Sequence, residues 1–372
     1  MILEKESKIN SSPKDFWKII NPKTKNNFPD QFYLNDIKCS NDNDISNLFA
    51  THFKSVYDNK KLQPYIIDNI KIMNKLNKIE ITISDVEYAI KNTNLNSPAG
   101  PDCIFPIIVK MCCSELVLPL HLLFNKIIKS CKYPDNWKVS YIIPCYKAGD
   151  KHDITNYRLI SIINVFSKLF EKILFIKVSN YLYQYIVCQQ HGGIPGLSTS
   201  SNLAVFSEFI MKVINQKSRV QVIYLDMVKA FDKVNHELLI DKLHQYGIEG
   251  ELLQLITNYL SNRHQIVKFN NTLSEKIEAT SGVPQGSNLV SLFYIIYVND
   301  IANIIKNSSF LLYIDDLKIY KELKTQNCSK DMQYDIDNLY EWALMNNLKF
   351  NHQKTFTMLY TRITTQFKSE FN

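Results

Sequence analysis

The sequence predicts an α+β fold built around a sheet of the split β-α-β type, with helices on one face. Two apolar runs are the main evidence. Residues 220–225 form a β-branched run of strand length that stops at Asp226. A second run, residues 310–313, leads into Asp315 and Asp316, after which the chain can turn straight back beside it. Helical spacing of the apolar residues between and after these runs, and a closing strand, complete a strand–helix–hairpin–helix–strand order.

The elements before this sheet are predicted from local patterns. Residues 1–80 are rich in Asn, Lys and Asp and hold few apolar residues, such as Phe16, Trp17, Phe49 and Phe53, which indicates short helices in a loosely packed leader. Ser84 and Glu87 form a capping-box pattern that opens a helix. The remaining predictions are a loop at 96–102, helices at 116–128, 162–183, 203–214, 236–246, 251–260 and 332–343 and after Asn288, strands at 139–146 and 355–360, and a hairpin at 265–279.

Composition excludes several classes of protein. With 372 residues, 45% hydrophobic and 21% charged, the chain has room for two or three structural units and is neither disordered nor fibrous. The charged beginning of the chain and the short apolar run at 289–298 match neither a secretory signal nor a membrane span, so the protein is expected inside the cell. The eight cysteines lack zinc-ligand spacing and are interpreted as reduced, mostly buried thiols.

The balance of charge suits a polyanionic partner. Lys and Arg number 43 against 36 Asp and Glu, which gives a net charge of +7. Many unrelated proteins are equally basic, so this balance alone does not identify a partner.

The acidic residues at the ends of the two apolar runs are the strongest chemical signal. If the two strands are neighbours, Asp226, Asp315 and Asp316 meet at one edge of the sheet. Carboxylates so crowded repel one another unless cations neutralise them, and such oxygen ligands suit magnesium. Two ions held in this way support phosphoryl transfer. The alternative is an acidic pair in a solvated turn, but here the pair interrupts two apolar runs, where uncompensated charge is costly.

Three motifs, in this order and spacing, resemble the reverse transcriptases of jockey-like non-LTR (LINE-type) retrotransposons. They are residues 224–234 (YLDMVKAFDKV), 281–287 (SGVPQGS) and 313–316 (YIDD). The ordered set is far more specific than any one motif. The similarity continues over roughly residues 84–360, in segments 97–102, 143–150, 156–158, 167–171, 190–192 and 351–355 and at Trp342.

The resemblance implies a right-hand polymerase with fingers and palm. Its segments would be an N-terminal leader and linker at 1–80, fingers with the first part of the palm at 81–218, palm at 219–360 and a truncated tail at 361–372. The implied function is RNA-directed DNA polymerase, which transfers nucleotides from dNTP to a primer 3′-hydroxyl with two Mg²⁺ ions, or Mn²⁺ in their place. The implied partners are an RNA template and a DNA primer or target DNA, which requires access to the nucleus, the cytoplasm or both.

The resemblance also assigns roles to the acidic residues and their neighbours. Asp226 and Asp315 would be metal ligands, Asp316 would complete the acidic cluster, and the Met227 carbonyl would be a further oxygen ligand. Phe231 stands where the family places a bulky side chain that excludes a ribose 2′-hydroxyl. Without the resemblance, Phe231 is as well explained as an ordinary core residue.

Four further residues receive roles in nucleotide binding or proton transfer. Gln285, in a glycine-flanked loop, would contact the incoming nucleotide, and Lys147 and Arg158 would hold its triphosphate. Lys354 would protonate the pyrophosphate leaving group, which makes it a general acid. A glutamine in a surface turn usually has no such role, and only the unit 283–286 (VPQG) supports it for Gln285. On their own, Lys147 and Arg158 are equally well explained as solvated basic side chains.

The sequence departs from the family pattern at several functional loops. Leu159 replaces the proline that usually follows Asn-Tyr-Arg, and Ile314 replaces the usual alanine before the two aspartates. The segment 193–197 lacks the expected aromatic and arginine residues, and Val290-Ser291 stands where glycine and proline are common. Fewer basic residues near 194–197 should weaken the grip on nucleic acid.

The chain ends at Asn372, before the region expected to supply the thumb, so a largely missing thumb is expected. The alternative function is therefore a truncated, inactive relic that at most binds nucleic acid. A cellular or intron-derived reverse transcriptase is a third hypothesis, which the leader and loop motifs favour less. The sequence leaves template choice, insertion site and oligomeric state open.

Overall fold

The computed structural model describes residues 28–58, 72, 74–324 and 327–362. The leader helices expected around Phe16 and Trp17, and the tail beyond residue 362, lie outside these residues. The described strands are β1 Phe32–Leu34, β2 Ile37–Cys39, β3 Val139–Tyr146, β4 Tyr157–Ile162, β5 Val220–Leu225, β6 Arg263–Phe269, β7 Thr272–Ala279, β8 Ser309–Tyr313, β9 Asp316–Glu322 and β10 Phe356–Tyr360. The described helices are α1 Asp42–Val56, α2 Ile83–Lys91, α3 Pro106–Met111, α4 Cys113–Ser130, α5 Val165–Leu182, α6 Thr199–Asn215, α7 His236–Gln245, α8 Gly250–Leu260, α9 Val290–Val298 and α10 Asn327–Met345.

One four-stranded sheet has the order β10-β5-β9-β8, with every neighbouring pair antiparallel; we call it the carboxylate sheet. Counted along the chain, its strands lie in the order 4-1-3-2, the split β-α-β order that the sequence predicts. Leu225 pairs with Leu317, and Tyr313 pairs with Asp316. The end of β5 and the turn between β8 and β9 therefore lie at the same edge of the sheet.

Helices cover both faces of the carboxylate sheet, so the expectation of helices on one face is wrong. On one face, Ile223 and Ile319 belong to the main core with residues of α7, α9 and α10. On the other face, Val222 packs with Phe206 and Ile210 of α6. The sequence carries the reason: residues 220–225 form an almost continuous apolar run, and such a run indicates a strand buried on both faces.

A second four-stranded sheet has the order β4-β3-β6-β7; we call it the hairpin sheet. Helix α1 packs on it, and Phe49 and Phe53 are buried together with Phe32 and Phe269. The loosely packed leader expected from composition is therefore wrong for residues 42–56. Their apolar residues are few but recur at helical spacing, which is enough to bury one face of a helix.

The hairpin sheet joins two distant parts of the chain. The hairpin β6–β7 lies within the segment predicted as palm, 219–360, yet β6 pairs in parallel with β3, where Tyr141 lies opposite Ile266. Strand β3 belongs to the preceding predicted segment, 81–218. The hairpin sheet therefore combines strands from both sides of residue 218, whereas every strand of the carboxylate sheet follows that residue.

Three local predictions need correction. The capping box of α2 is Thr82 with Asp85 rather than Ser84 with Glu87: Thr82 Oγ1 accepts from Asp85 N (3.2 Å), and the Asp85 carboxylate accepts from Thr82 N (2.9 Å). The helix expected from residue 162 begins at Val165, because residues 157–162 form β4. The eight cysteines are unpaired as expected, but none is buried.

A buried ion pair joins the helices behind the carboxylate sheet. Lys242 of α7 donates to Asp300 Oδ1 (2.7 Å) and to Asn346 Oδ1 (2.6 Å), and both charged side chains are inaccessible to solvent. Trp342 Nε1 donates to the other oxygen of Asp300 (2.9 Å). The desolvation cost of both charges is offset only while every partner is present.

Among the described helices, none has the length and apolarity needed to cross a bilayer.

We expect Lys242→Met to lower the free energy of unfolding by about 3–5 kcal/mol, because it leaves the Asp300 charge buried without its cation. Urea denaturation measures this. Lys91→Met, which breaks the exposed pair with Glu87, is the matched control and should change stability little. Equal effects of the two substitutions would contradict the importance of the buried pair.

Candidate active site

Three carboxylates gather at one edge of the carboxylate sheet. Asp226 directly follows β5, Asp315 lies in the turn between β8 and β9, and Asp316 is the first residue of β9. Burial raises the pKa of Asp315, and the charges of Asp316 and Asp226 raise it further. Burial also raises the pKa of Asp316, again with a contribution from Asp226. The three groups are thus close enough for each ionised carboxylate to disfavour ionisation of the others.

Lys354 partly neutralises this cluster. Its Nζ donates to Asp226 Oδ2 at 2.7 Å, and this hydrogen bond raises the pKa of Lys354. The turn that carries Lys354 is fixed to the same residue, because Asn351 N donates to the Asp226 carbonyl (2.8 Å). As the side chains stand, no three Asp, Glu, His or Cys residues of the described chain form a closed metal cage. The donors nevertheless suit a hard divalent cation, since all three are carboxylates whose mutual repulsion a cation would relieve.

All nine residues singled out from the sequence line one cleft of about 630 Å³ between the two sheets. They come from segments far apart along the chain, so their proximity is a property of the fold. They are Lys147, Arg158, Asp226, Met227, Phe231, Gln285, Asp315, Asp316 and Lys354.

The hairpin sheet contributes two cations to this cleft. Lys147 follows β3, and Arg158 lies on β4 opposite Cys145. Burial lowers the pKa of Lys147, and the neighbouring charges of Lys354 and Arg158 lower it further. Positive charge therefore accumulates opposite the carboxylates, an arrangement that favours an anionic ligand between them.

The segment after Asp226 forms the floor of the cleft. The Met227 side chain is buried, and its Sδ accepts from Tyr294 Oη (3.0 Å). The Phe231 ring is half-buried and packs 4.9 Å from the Tyr294 ring, centroid to centroid. Phe231 therefore both packs on the core and lines the cleft.

Gln285 is held by both its side chain and its backbone. Its Nε2 donates to Asp232 Oδ1 (2.7 Å), and its carbonyl accepts from Ser161 N of β4 (2.7 Å). Gly286 has φ +132°, and a Cβ there would lie 2.3 Å from the Ser161 carbonyl oxygen. This close approach requires glycine. Farther along the loop, Asn288 N donates to the buried Glu171 carboxylate (3.3 Å).

The cleft residues without a role assigned from the sequence include His52, Lys229, Asp232 and Asn351. Lys229 has a φ of +50°, which directs the chain sharply after Asp226. Burial and the charge of Lys229 lower the pKa of His52 to about 4, so His52 is neutral near pH 7. The acidic residue Asp232, six positions after Asp226, was visible in the motif. Its contact with Gln285 was not, because it depends on the fold.

Comparison with known proteins agrees with this geometry. Residues 149–369 match the family described as reverse transcriptase (RNA-dependent DNA polymerase), and the chain belongs to that family. The match covers more than half of the chain and includes the motifs around Asp226, Gln285 and Asp315.

The relatives are named as RNA-directed DNA polymerases, or probable ones, from transposons or a mobile element. The chain is 26% identical over 295 residues to the probable RNA-directed DNA polymerase from transposon BS of Drosophila melanogaster, with 76% of this chain and 32% of the relative covered. It is 26% identical over 283 residues to the probable RNA-directed DNA polymerase from transposon X-element of the same fly, covering 74% and 31%. It is 24% identical over 292 residues to the RNA-directed DNA polymerase from mobile element jockey of Drosophila funebris, covering 76% and 32%. The chain thus spans about a third of the length of these relatives.

We expect Gly286→Ala to lower the free energy of unfolding by at least about 3 kcal/mol, because the new Cβ meets the Ser161 carbonyl. The matched control is Gly196→Ala, at φ +80° with open space around the site, which should cost about 1–2 kcal/mol from backbone strain alone. Thermal or urea unfolding measures both. A cost for Gly286→Ala no larger than the control would contradict the tight contact.

We expect the stability difference between the wild type and Asp232→Asn to depend on pH. Burial raises the pKa of Asp232 to about 6, against opposing contributions from Gln285, Lys229 and Lys233. A raised carboxyl pKa gives stability that is present at low pH and is lost as pH rises through the folded value. Because the asparagine amide resembles the protonated acid, the wild type should lose about 2–3 kcal/mol relative to the variant between about pH 4 and pH 7. Urea denaturation across this range measures the loss; parallel curves would contradict it.

Proposed function

We propose that the chain is the catalytic core of an RNA-directed DNA polymerase of the non-LTR retrotransposon type. The observation that carries this proposal is the convergence of nine separately predicted residues on one cleft. In this proposal the carboxylate sheet is the palm, and the hairpin sheet belongs to the fingers. The reaction is transfer of a nucleotide from dNTP to a primer 3′-hydroxyl on an RNA template.

Asp226, Asp315 and Asp316 are the residues that would hold two Mg²⁺ ions, or Mn²⁺ in their place, with the Met227 carbonyl as a further oxygen ligand. When bound, the ions would lower the pKa of the attacking hydroxyl and neutralise charge on the phosphate oxygens. Lys354, next to these carboxylates, is the proposed proton donor to the leaving pyrophosphate. Lysine is protonated at neutral pH, as a proton donor requires, and the hydrogen bond to Asp226 raises the pKa of Lys354 further.

The cations of the hairpin sheet are the proposed triphosphate ligands. Arg158 has the planar fork that binds phosphate oxygens in pairs, and Lys147 supplies a second positive charge on the same wall of the cleft. Gln285 would contact the nucleotide from the opposite loop, with its orientation set by Asp232. Phe231 would close the space that a ribose 2′-hydroxyl needs.

The nucleic acid is proposed to lie over the neighbouring apolar cavity. This cavity, of about 760 Å³, shares Asp226, Asp316 and Lys354 with the nucleotide cleft. The rings of Tyr224 and Phe356 stack along its wall, 4.8 Å apart between centroids. Aromatic faces of this kind suit the bases of a primer end held next to the carboxylates.

Primer extension on an RNA template with dNTP and Mg²⁺ tests the proposal. We expect the wild type to add deoxynucleotides and Asp315→Asn to reduce the rate by roughly a hundredfold or more, because a metal contribution of several kcal/mol is lost. Asp331→Asn, which alters an exposed aspartate paired with Lys321, is the control and should extend like the wild type.

Each outcome discriminates between hypotheses. Equal extension by the wild type and Asp315→Asn would overturn the assigned mechanism. No extension by the wild type, together with RNA binding that weakens with salt, would support the alternative of an inactive relic that binds nucleic acid.

A further inference from the structure

The turn that carries Asp315 and Asp316 contains a residue in an unusual conformation. Ile314 has a φ of +59°, in the left-handed region. Residues branched at Cβ rarely adopt this conformation, because Cβ approaches the following carbonyl oxygen. The turn therefore does not hold its shape through local preference alone, and neighbouring groups must stabilise it.

The side chain of Gln190 contacts this turn. Gln190 is 1% exposed, and its Oε1 accepts from Ile314 N and from Gly192 N, both at 2.9 Å. Both lone pairs of the amide oxygen are thus used. Its Nε2 has no hydrogen-bond partner among the described residues. Burying an unpaired amide nitrogen costs free energy. Any stabilisation by the Gln190 side chain must therefore come from the two hydrogen bonds that its oxygen accepts.

The backbone around Gln190 lies against the same turn. Leu312 N donates to the Gln189 carbonyl, and His191 N donates to the Leu312 carbonyl, both at 3.0 Å. A Cβ on Gly192 would lie 2.6 Å from Ile314 N. Only glycine permits this approach, which brings Gln190 within hydrogen-bonding distance of the turn.

We propose that Gln190 is a positioning residue that holds Ile314 in its left-handed conformation and so presents Asp315 and Asp316 to the cleft. The catalytic consequence rests on the proposed polymerase function. The structural part does not, because it concerns the turn itself. Gln190 contacts neither the carboxylates nor the cleft in the described structure; it acts through the Ile314 amide.

A double-mutant cycle with two readouts tests this inference. Gln190→Met keeps the side-chain length but removes the acceptor, and Ile314→Gly removes the strain, since glycine adopts positive φ readily. Hydrogen–deuterium exchange of the peptide covering residues 312–317 reports the turn directly. Gln221→Met is the matched control, since Gln221 is equally buried in the same sheet but contacts Thr357 instead of the turn.

We expect Gln190→Met to speed exchange in residues 312–317 and to lower kcat for primer extension by roughly tenfold. In the Ile314→Gly background the same substitution should lower kcat by less than about threefold, because less strain remains to be held. Gln221→Met should leave exchange in this peptide unchanged.

Three results would overturn the inference: unchanged exchange in Gln190→Met, unchanged extension despite faster exchange, or equal losses in the two backgrounds. If the wild type makes no DNA, the proposed function fails, and the exchange measurement alone decides whether Gln190 holds the turn.

Discussion

The pairing of β5 with β9 is the interaction on which the site depends. Leu225 lies opposite Leu317, so the residue after β5 and the residues before β9 meet at one edge of the sheet. Both strands are fixed by burial of their apolar side chains between two layers of helices. The free energy that holds three mutually repelling carboxylates together therefore comes from hydrophobic burial outside the site.

The parts of the fold that the sequence predicted are those encoded locally. The runs 220–225 and 139–146 became β5 and β3 with the expected bounds, because a continuous apolar run bounded by polar residues needs no distant information. The parallel pairing of β3 with β6 could not be predicted, since it joins segments far apart along the chain. Composition alone does not indicate the packing of helix α1, which depends on the helical spacing of Phe49 and Phe53.

The same distinction applies to the site. Asp226, Gln285 and Asp315 were recognisable because each lies in a compact motif, and the fold then brings them to one cleft. The supporting contacts are different in kind. Two hydrogen bonds join residues of separate motifs. Gln285 donates to Asp232, and Gln190 accepts from the backbone amide of Ile314. Such contacts depend on backbone geometry, which a single sequence does not display.

The assembly of the hairpin sheet from distant chain segments has a consequence for how the chain folds during synthesis. When β3 and β4 leave the ribosome, β6, the second pairing partner of β3, has not yet been made, so one edge of β3 remains unpaired. The carboxylate sheet is completed later than the hairpin sheet, because its last strand along the chain is β10, which follows Lys354. The cleft thus becomes complete only after β10 has been made, and a nascent chain that pauses beforehand presents unpaired edges to chaperones or to aggregation.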